Sequence, residues 1–236
     1  VFMVLGKSSF AQYHDANWVV TRVIQGNGNN VLIHFPPVGG SPVINFCAGQ
    51  IPFSYANSTI SDAQGNLLFI TNGVEVFDKN YQIIPGCIVQ NPYTIASAVG
   101  GLARTQSAIF LPWPGDTNKY VLFYAVPEIN TVNSGPCSGG WGGLATHLYY
   151  TVLDKTLNGG NGGVVSANNI AVSDTLVHLF GLAATKHANG RDWWILVKER
   201  CSSKFATMLL TPLGLTTVFD QYVNPTFSDP SNFAIS

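Results

Sequence analysis

Charge is what this chain has least of. Only 10% of its 236 residues are Asp, Glu, Lys or Arg, against about 25% in an ordinary soluble domain. The 11 basic and 12 acidic side chains leave a net charge of −1. That balance sets up no long-range field to gather nucleic acid or an anionic membrane, so neither is an expected partner. No stretch approaches the ~20 apolar residues of a membrane-spanning helix. No apolar pattern at helical period runs beyond about two turns. The four cysteines, Cys47, Cys87, Cys137 and Cys201, form no C-x-x-C pair, which disfavours zinc and redox motifs. The histidines (His14, His34, His147, His178, His187) share no metal-ligand spacing. Phosphate-binding loop, nucleophile elbow and dinucleotide fingerprint are all missing. No cofactor, no metal and no catalytic set is expected.

What remains is apolar and neutral-polar. Apolar residues make up 46% and aromatics 12%, with 24 glycines among the turns. This is enough burial for one substantial domain or two small ones. The stretch Asn57–Pro85 is the most legible. Asp62-Ala-Gln-Gly65-Asn66 is a turn in which Asp bonds its own backbone and Gly takes positive φ. Asn72-Gly73 predicts a two-residue type I′ hairpin. Leu67–Thr71 between them is a β-branched and aromatic run too short for a helix. Val74–Asp78 alternates like a strand with one wet face. Together they predict a three-strand meander.

The same grammar recurs. Trp18–Ile24 and Val31–Phe35 form a hairpin around Gly26–Asn30, with Pro42–Cys47 extended after it. A second unit comprises Gln106–Leu111, Tyr120–Val126 and His147–Leu153, with DKTLNGGNGG turning the chain toward Val164. A third comprises Leu182–Thr185, Trp193–Lys198 and Phe205–Thr211, closing at Pro212-Leu-Gly214. Phe69, Phe123 and Trp194 hold similar places in the middle strands. The fold expected is all-β, a β-propeller-like array of antiparallel meander blades, with a β-sandwich as the alternative. Three clear units plus one hairpin fall short of a closed ring, so the array is expected to be an incomplete portion of a larger propeller. Residues 1–11 resemble the tail of a secretory signal peptide, ending in the small-x-small pattern Ser9-Phe10-Ala11. A short buried first strand is the other reading. Residues 12–236 would then be the β domain.

The motifs NSTISDAQGNLLFITNGVEVFDKNYQIIPG, TQSAIFLPWPGDTNKYVLFYAV, LYYTVLDKTLNGGNGGVVSAN and LAATKHANGRDWWILVK occur in this order between Trp18 and Gly214. They resemble the N-terminal propeller-like region of large Bacteroidetes surface proteins. Those proteins are exported by the type IX secretion system, and many carry gliding-motility-associated or sorting C-terminal domains. The segments Asn17–Val20 and Val31–Phe35 depart from that family's opening pattern. The resemblance implies a secreted or cell-surface, non-catalytic module; it names no ligand.

Site candidates are few. Ser61-Asp62-x-x-Gly65 is close to the Asp-box turn of sialidase propellers but has different spacing, so Asp62 reads as a turn cap. Glu75 and Asp78 read as solvated positions flanking a strand, and His187 as a hairpin residue. Trp141, in the Gly-rich loop Asn133–Gly143, could stack on a sugar or anchor a partner protein. Its alternative is a plug over the sheet below, pinned by a disulfide through Cys137. Trp113, between Pro112 and Pro114, is a second binding candidate. If the chain is exported, Cys47, Cys87, Cys137 and Cys201 could form two disulfides; buried free thiols are the alternative. The expected function is a binding or structural module meeting protein or glycan at the cell surface, in adhesion or a surface matrix. A secreted carbohydrate-active enzyme and a self-assembling surface or filament subunit are the competing readings.

Overall fold

The computed structural model describes residues 13–21, 30–36, 40–47, 51–53, 56–87, 101–102, 107–125, 145, 147–172, 177–199 and 203–223. It is all-β and antiparallel throughout. The first sheet holds β1 (Asn17–Thr21), β2 (Asn30–His34) and β3 (Val43–Phe46). The second holds β4 (Ser58–Ser61), β5 (Leu67–Thr71) and β6 (Val76–Asp78). The third runs β7 (Ala108–Pro112), β8 (Lys119–Tyr124), β9 (Leu148–Asp154) and β10 (Gly163–Val172). The fourth runs β11 (Val177–Lys186), β12 (Trp193–Glu199), β13 (Lys204–Thr211) and β14 (Gly214–Tyr222). Each sheet is a meander whose strands pair in chain order. Among the described residues no helix is long and apolar enough to cross a membrane.

Local chemistry sets the turns. Asp62 Oδ1 accepts the backbone N–H groups of Gln64 and Asn66, each at 2.9 Å, while Gly65 takes φ +85° to close the hairpin. Asp78 does the same for Asn80 and Gln82, with Tyr81 at φ +63° in the glycine's place. One loop design thus serves both ends of the second sheet. Asp78 is therefore a buried turn cap and not the solvated flanking residue its position suggests.

The Asn72-Gly73 turn differs from a type I′ hairpin. Only Gly73 has positive φ. Asn72 Oδ1 instead accepts the N–H groups of Val74 and Glu75, spreading the reversal over residues 72–75. The shortened β6 has no wet face, because Val76 and Phe77 are buried on opposite sides against different sheets. Pro42–Cys47 is extended as the sequence pattern expects, with Val43–Phe46 pairing as a third strand on the N-terminal hairpin. One further element goes beyond the pattern: β14 adds an outer strand beyond Pro212-Leu213.

The four sheets stack in series, and three apolar cores lie between them. Val19 of the first sheet meets Ile70 and Phe77 of the second. On the second sheet's other side, Ile60, Phe69 and Val76 meet Phe110, Tyr120, Leu122 and Leu153. The far side of the third sheet sets Leu111, Val121, Phe123 and Leu148 against Leu182, Ile195, Met208 and Leu210. Alternation along each middle strand explains this: Tyr120, Leu122 and Tyr124 face one neighbour, Val121 and Phe123 the other. A strand buried on both faces has no need of charge, which accounts for the chain's composition. The first strands stand side by side, β1 beside β4, β4 beside β7, and β7 beside β11.

Candidate functional site

Where those first strands converge, the structure opens a cleft of about 510 Å³. Its lining comes from the 3₁₀ turn Tyr13–Asp15, from β4, from β7, and from the β11–β12 hairpin. Ile60, Phe110 and Leu111 give it an apolar floor. The polar groups around that floor are His14, Asp15, Thr59 and Lys186, with the indole of Trp193 as a wall.

Each junction between sheets is fastened near this cleft. Thr59 Oγ1 donates to the Asn17 carbonyl at 2.6 Å, joining the second sheet to the first. The Phe110 N–H reaches Ser58 Oγ at 3.4 Å, joining third to second. Trp193 Nε1–H donates to the Pro112 carbonyl at 3.1 Å, joining fourth to third. Asn17, buried, adds a network: its Nδ2 donates to Ser61 Oγ and the Gly65 carbonyl, and its Oδ1 meets His34 Nδ1 at 2.9 Å. These bonds hold the cleft walls in register.

Electrostatics follow from placement. His14 Nδ1 lies 2.7 Å from the Ser61 carbonyl, which can only accept, so Nδ1 carries the hydrogen. In the neutral ring Nε2 is then an acceptor. Burial pulls His14 below its ordinary value; the Ser61 bond opposes this, and the Lys186 charge adds to it. His14 is a neutral acceptor at pH 7. Lys186 sits directly opposite Trp193 in the β11–β12 ladder, its Nζ 5.0 Å from the indole centroid. Burial also lowers the Lys186 ammonium from its ordinary value. Asp62, behind the wall, is pushed up by burial, but hydrogen bonds from Asn66 and Gln64 outweigh this and hold it low. Its carboxylate is consumed by the turn.

The cleft can therefore offer one exposed carboxylate, one ammonium, a neutral imidazole acceptor and a hydroxyl above an apolar base. Paired carboxylates at glycosidase spacing are lacking among its described lining residues. No group of three His, Cys, Asp or Glu that could hold a metal occurs among the described residues.

Of the two binding candidates read from sequence, Trp113 is the one the structure describes. Trp113 is half-buried and packs on the core between the third and fourth sheets, outside the cleft lining. β7 ends at Pro112, and the turn that follows pairs the Trp113 N–H with the Lys119 carbonyl while its side chain packs against that core. Trp141 and the loop around it lie outside the described residues, as do Cys137, Cys201 and residues 1–11. Cys47 and Cys87 are free thiols. His187 caps its own turn, its Nδ1 accepting the Asn189 N–H at 3.1 Å. The residues that sequence reasoning missed are His14, Lys186 and Trp193. The usable signal was the Lys186-x₆-Trp193 spacing, which sets cation and indole opposite each other across a hairpin. Comparison with family models, with curated proteins and with solved structures found no match to this chain.

Proposed function

We propose that this chain is a non-catalytic binding module of a secreted or cell-surface protein, a propeller-like array whose cleft takes a glycan. The observation that carries the reading is the cleft's composition: an indole wall and apolar floor ringed by single, spaced polar groups. Sugars present an apolar ring face and a rim of hydroxyls, and this is the lining that suits both. A lone carboxylate beside a neutral imidazole suits holding hydroxyls better than cleaving a glycosidic bond, which ordinarily uses two carboxylates. Favouring a propeller-like array over a sandwich are four sheets in series with adjoining first strands, where a sandwich has two sheets. Surface location draws support from the neutral polar composition and from the ordered motifs described above. Adhesion or a place in a surface matrix is the role that follows.

The test is calorimetry of the purified chain against a panel of oligosaccharides, with a hydrolysis assay on the same panel. Saturable binding without turnover is expected. Asp15→Asn and Lys186→Met should each weaken it at least about tenfold, the loss of one charge-assisted contact, with the circular dichroism spectrum unchanged. Turnover abolished by Asp15→Asn would replace this reading with the enzyme reading. Protease shaving of intact cells tests the location separately.

A further inference from the structure

Among the described residues that line the cleft, four side chains have hydrogens to give: His14, Thr59, Lys186 and Trp193. Three of them spend their one hydrogen on a main-chain carbonyl of a neighbouring element. His14 Nδ1–H goes to Ser61, Thr59 Oγ1–H to Asn17 and Trp193 Nε1–H to Pro112. The Phe110 main-chain N–H is taken as well, by Ser58 Oγ. The same bonds that fasten the sheets therefore strip these lining side chains of their neutral donors. What they retain is the capacity to accept, at His14 Nε2 and at the Thr59 hydroxyl oxygen. The exposed Asp15 carboxylate adds oxygens that only accept. Lys186 is the exception, an ammonium donor 5.0 Å from the Trp193 ring centroid.

We propose that the cleft selects neutral sugars with unblocked, adjacent hydroxyl groups, held as hydrogen donors to Asp15, His14 and Thr59. This rests on the glycan reading above and adds to it the class of sugar. An acceptor covered by a ligand and left without a hydrogen is costly, so the ligand has to bring hydrogens with it. A hydroxyl gives one hydrogen and still accepts another. Two neighbouring hydroxyls can therefore serve the acceptors while one of them takes a hydrogen from Lys186. A uronate finds a partner in Lys186, but its carboxylate has no hydrogen for His14 or Thr59 and meets the like charge of Asp15. An ammonium sugar supplies hydrogens but meets the like charge of Lys186. An O-methyl or O-acetyl group removes the hydrogen and adds bulk.

The test has one arm without ligand and one with it. Without ligand, nitrogen NMR of the full chain at neutral pH should show His14 as the Nδ1–H tautomer and slow exchange of the Trp193 indole hydrogen. The Nε2–H tautomer, or an indole hydrogen exchanging as fast as an open one, would overturn the proposal whatever the chain binds. With ligand, calorimetry compares cellotetraose, mannotetraose and galactotetraose with tetragalacturonate and tetraglucosamine. At least one neutral tetrasaccharide should bind at least about tenfold more tightly than either charged one. Fluorine in place of a hydroxyl keeps a weak acceptor and loses the hydrogen. Introduced one position at a time into the best-bound neutral sugar, it should weaken binding at least about tenfold at adjacent positions. A charged sugar binding as tightly, or fluorine tolerated at every position, would overturn the selection and leave the glycan reading standing. Binding by no member of the set would remove the glycan reading and this one with it.

Discussion

Lys186 and Trp193 face each other across the β11–β12 ladder, the ammonium 5.0 Å from the indole centroid and the indole N–H held by the Pro112 carbonyl. The pair stands on the fourth sheet, yet Lys186 acts on the 3₁₀ turn that precedes the first. The Lys186 charge is one of the influences that lower His14. Lys186→Met keeps the stem over the ring and deletes the charge. The expected result is an upward shift in the His14 titration, read from its imidazole Cε1–H signal by NMR. An unmoved titration would mean that the two groups do not share the cleft.

His14 also predicts how stability depends on pH. Its folded value lies below the ordinary 6.5 because burial disfavours the imidazolium. Above pH 6.5 the ring is neutral folded or unfolded, and its contribution is fully present. Below 6.5 the unfolded chain takes up a proton that the folded one resists, so stability falls as pH drops toward the folded value. Urea unfolding at pH 7.5 and at steps down to 5 should show this loss. His14→Gln, which retains a donor for the Ser61 carbonyl, should flatten the slope across that window.

Much of the fold was legible because its turns carry their own chemistry. Asp62, Gly65 and the Leu67–Thr71 run are local signals, and the hairpins they predict are present. Asn72-Gly73 misled because the Asn side chain caps Val74 and Glu75, a bond that competes with the type I′ geometry and depends on no pattern in the flanking strands. The alternation at Val74–Asp78 misled because both faces of the second sheet are covered, which no single strand can reveal. The cleft was out of reach for the same reason. His14, Thr59, Phe110 and Lys186 lie on different elements far apart in the chain, and only the stacking of whole sheets gathers them.

Asp62 is the most economical test of the turn design. Its carboxylate takes two backbone N–H groups and the Asn66 amide. Asp62→Ala leaves those donors without their partner and should cost about 1–3 kcal/mol, measured by urea denaturation. Because hydrogen bonds hold the folded carboxyl below its ordinary 3.8, the wild-type contribution is present above that value and fades as pH falls through the folded one. The variant should therefore lose its deficit in strong acid.

Thiol chemistry discriminates between disulfides and buried cysteines. Burial pushes the Cys87 thiol up to about 12, so at pH 8 it is almost entirely protonated and sheltered. Cys47 is only half-buried and shares a hydrogen bond with the Tyr81 hydroxyl, but burial raises it too. Brief alkylation of the native protein followed by peptide mass spectrometry should leave Cys87 unmodified and label Cys47 slowly. Alkylation in urea without reductant should label both fully. Failure to label either in urea would mean that it is disulfide-bonded.

Gly162 gives the sharpest packing prediction. It precedes β10 at φ +92°, and a Cβ there would sit 2.8 Å from Cζ of Phe69 and closer still to Cε1. Phe69 is 1% exposed and in edge contact with Tyr120 across the core between the second and third sheets, so it has nowhere to retreat. Gly162→Ala therefore combines left-handed backbone strain of about 1 kcal/mol or more with overpacking of about 1–3 kcal/mol. Gly190 provides the control: φ is +72°, but a methyl group there would meet nothing within 4 Å. Gly190→Ala should cost the strain alone. Thermal melts of the two variants should thus separate by several degrees, at about 2–4 °C per kcal/mol for a chain of this size, with Gly162→Ala the lower. Equal melting points would mean that the turn before β10 does not rest on Phe69, and that the junction between the second and third sheets is looser than the core residues imply.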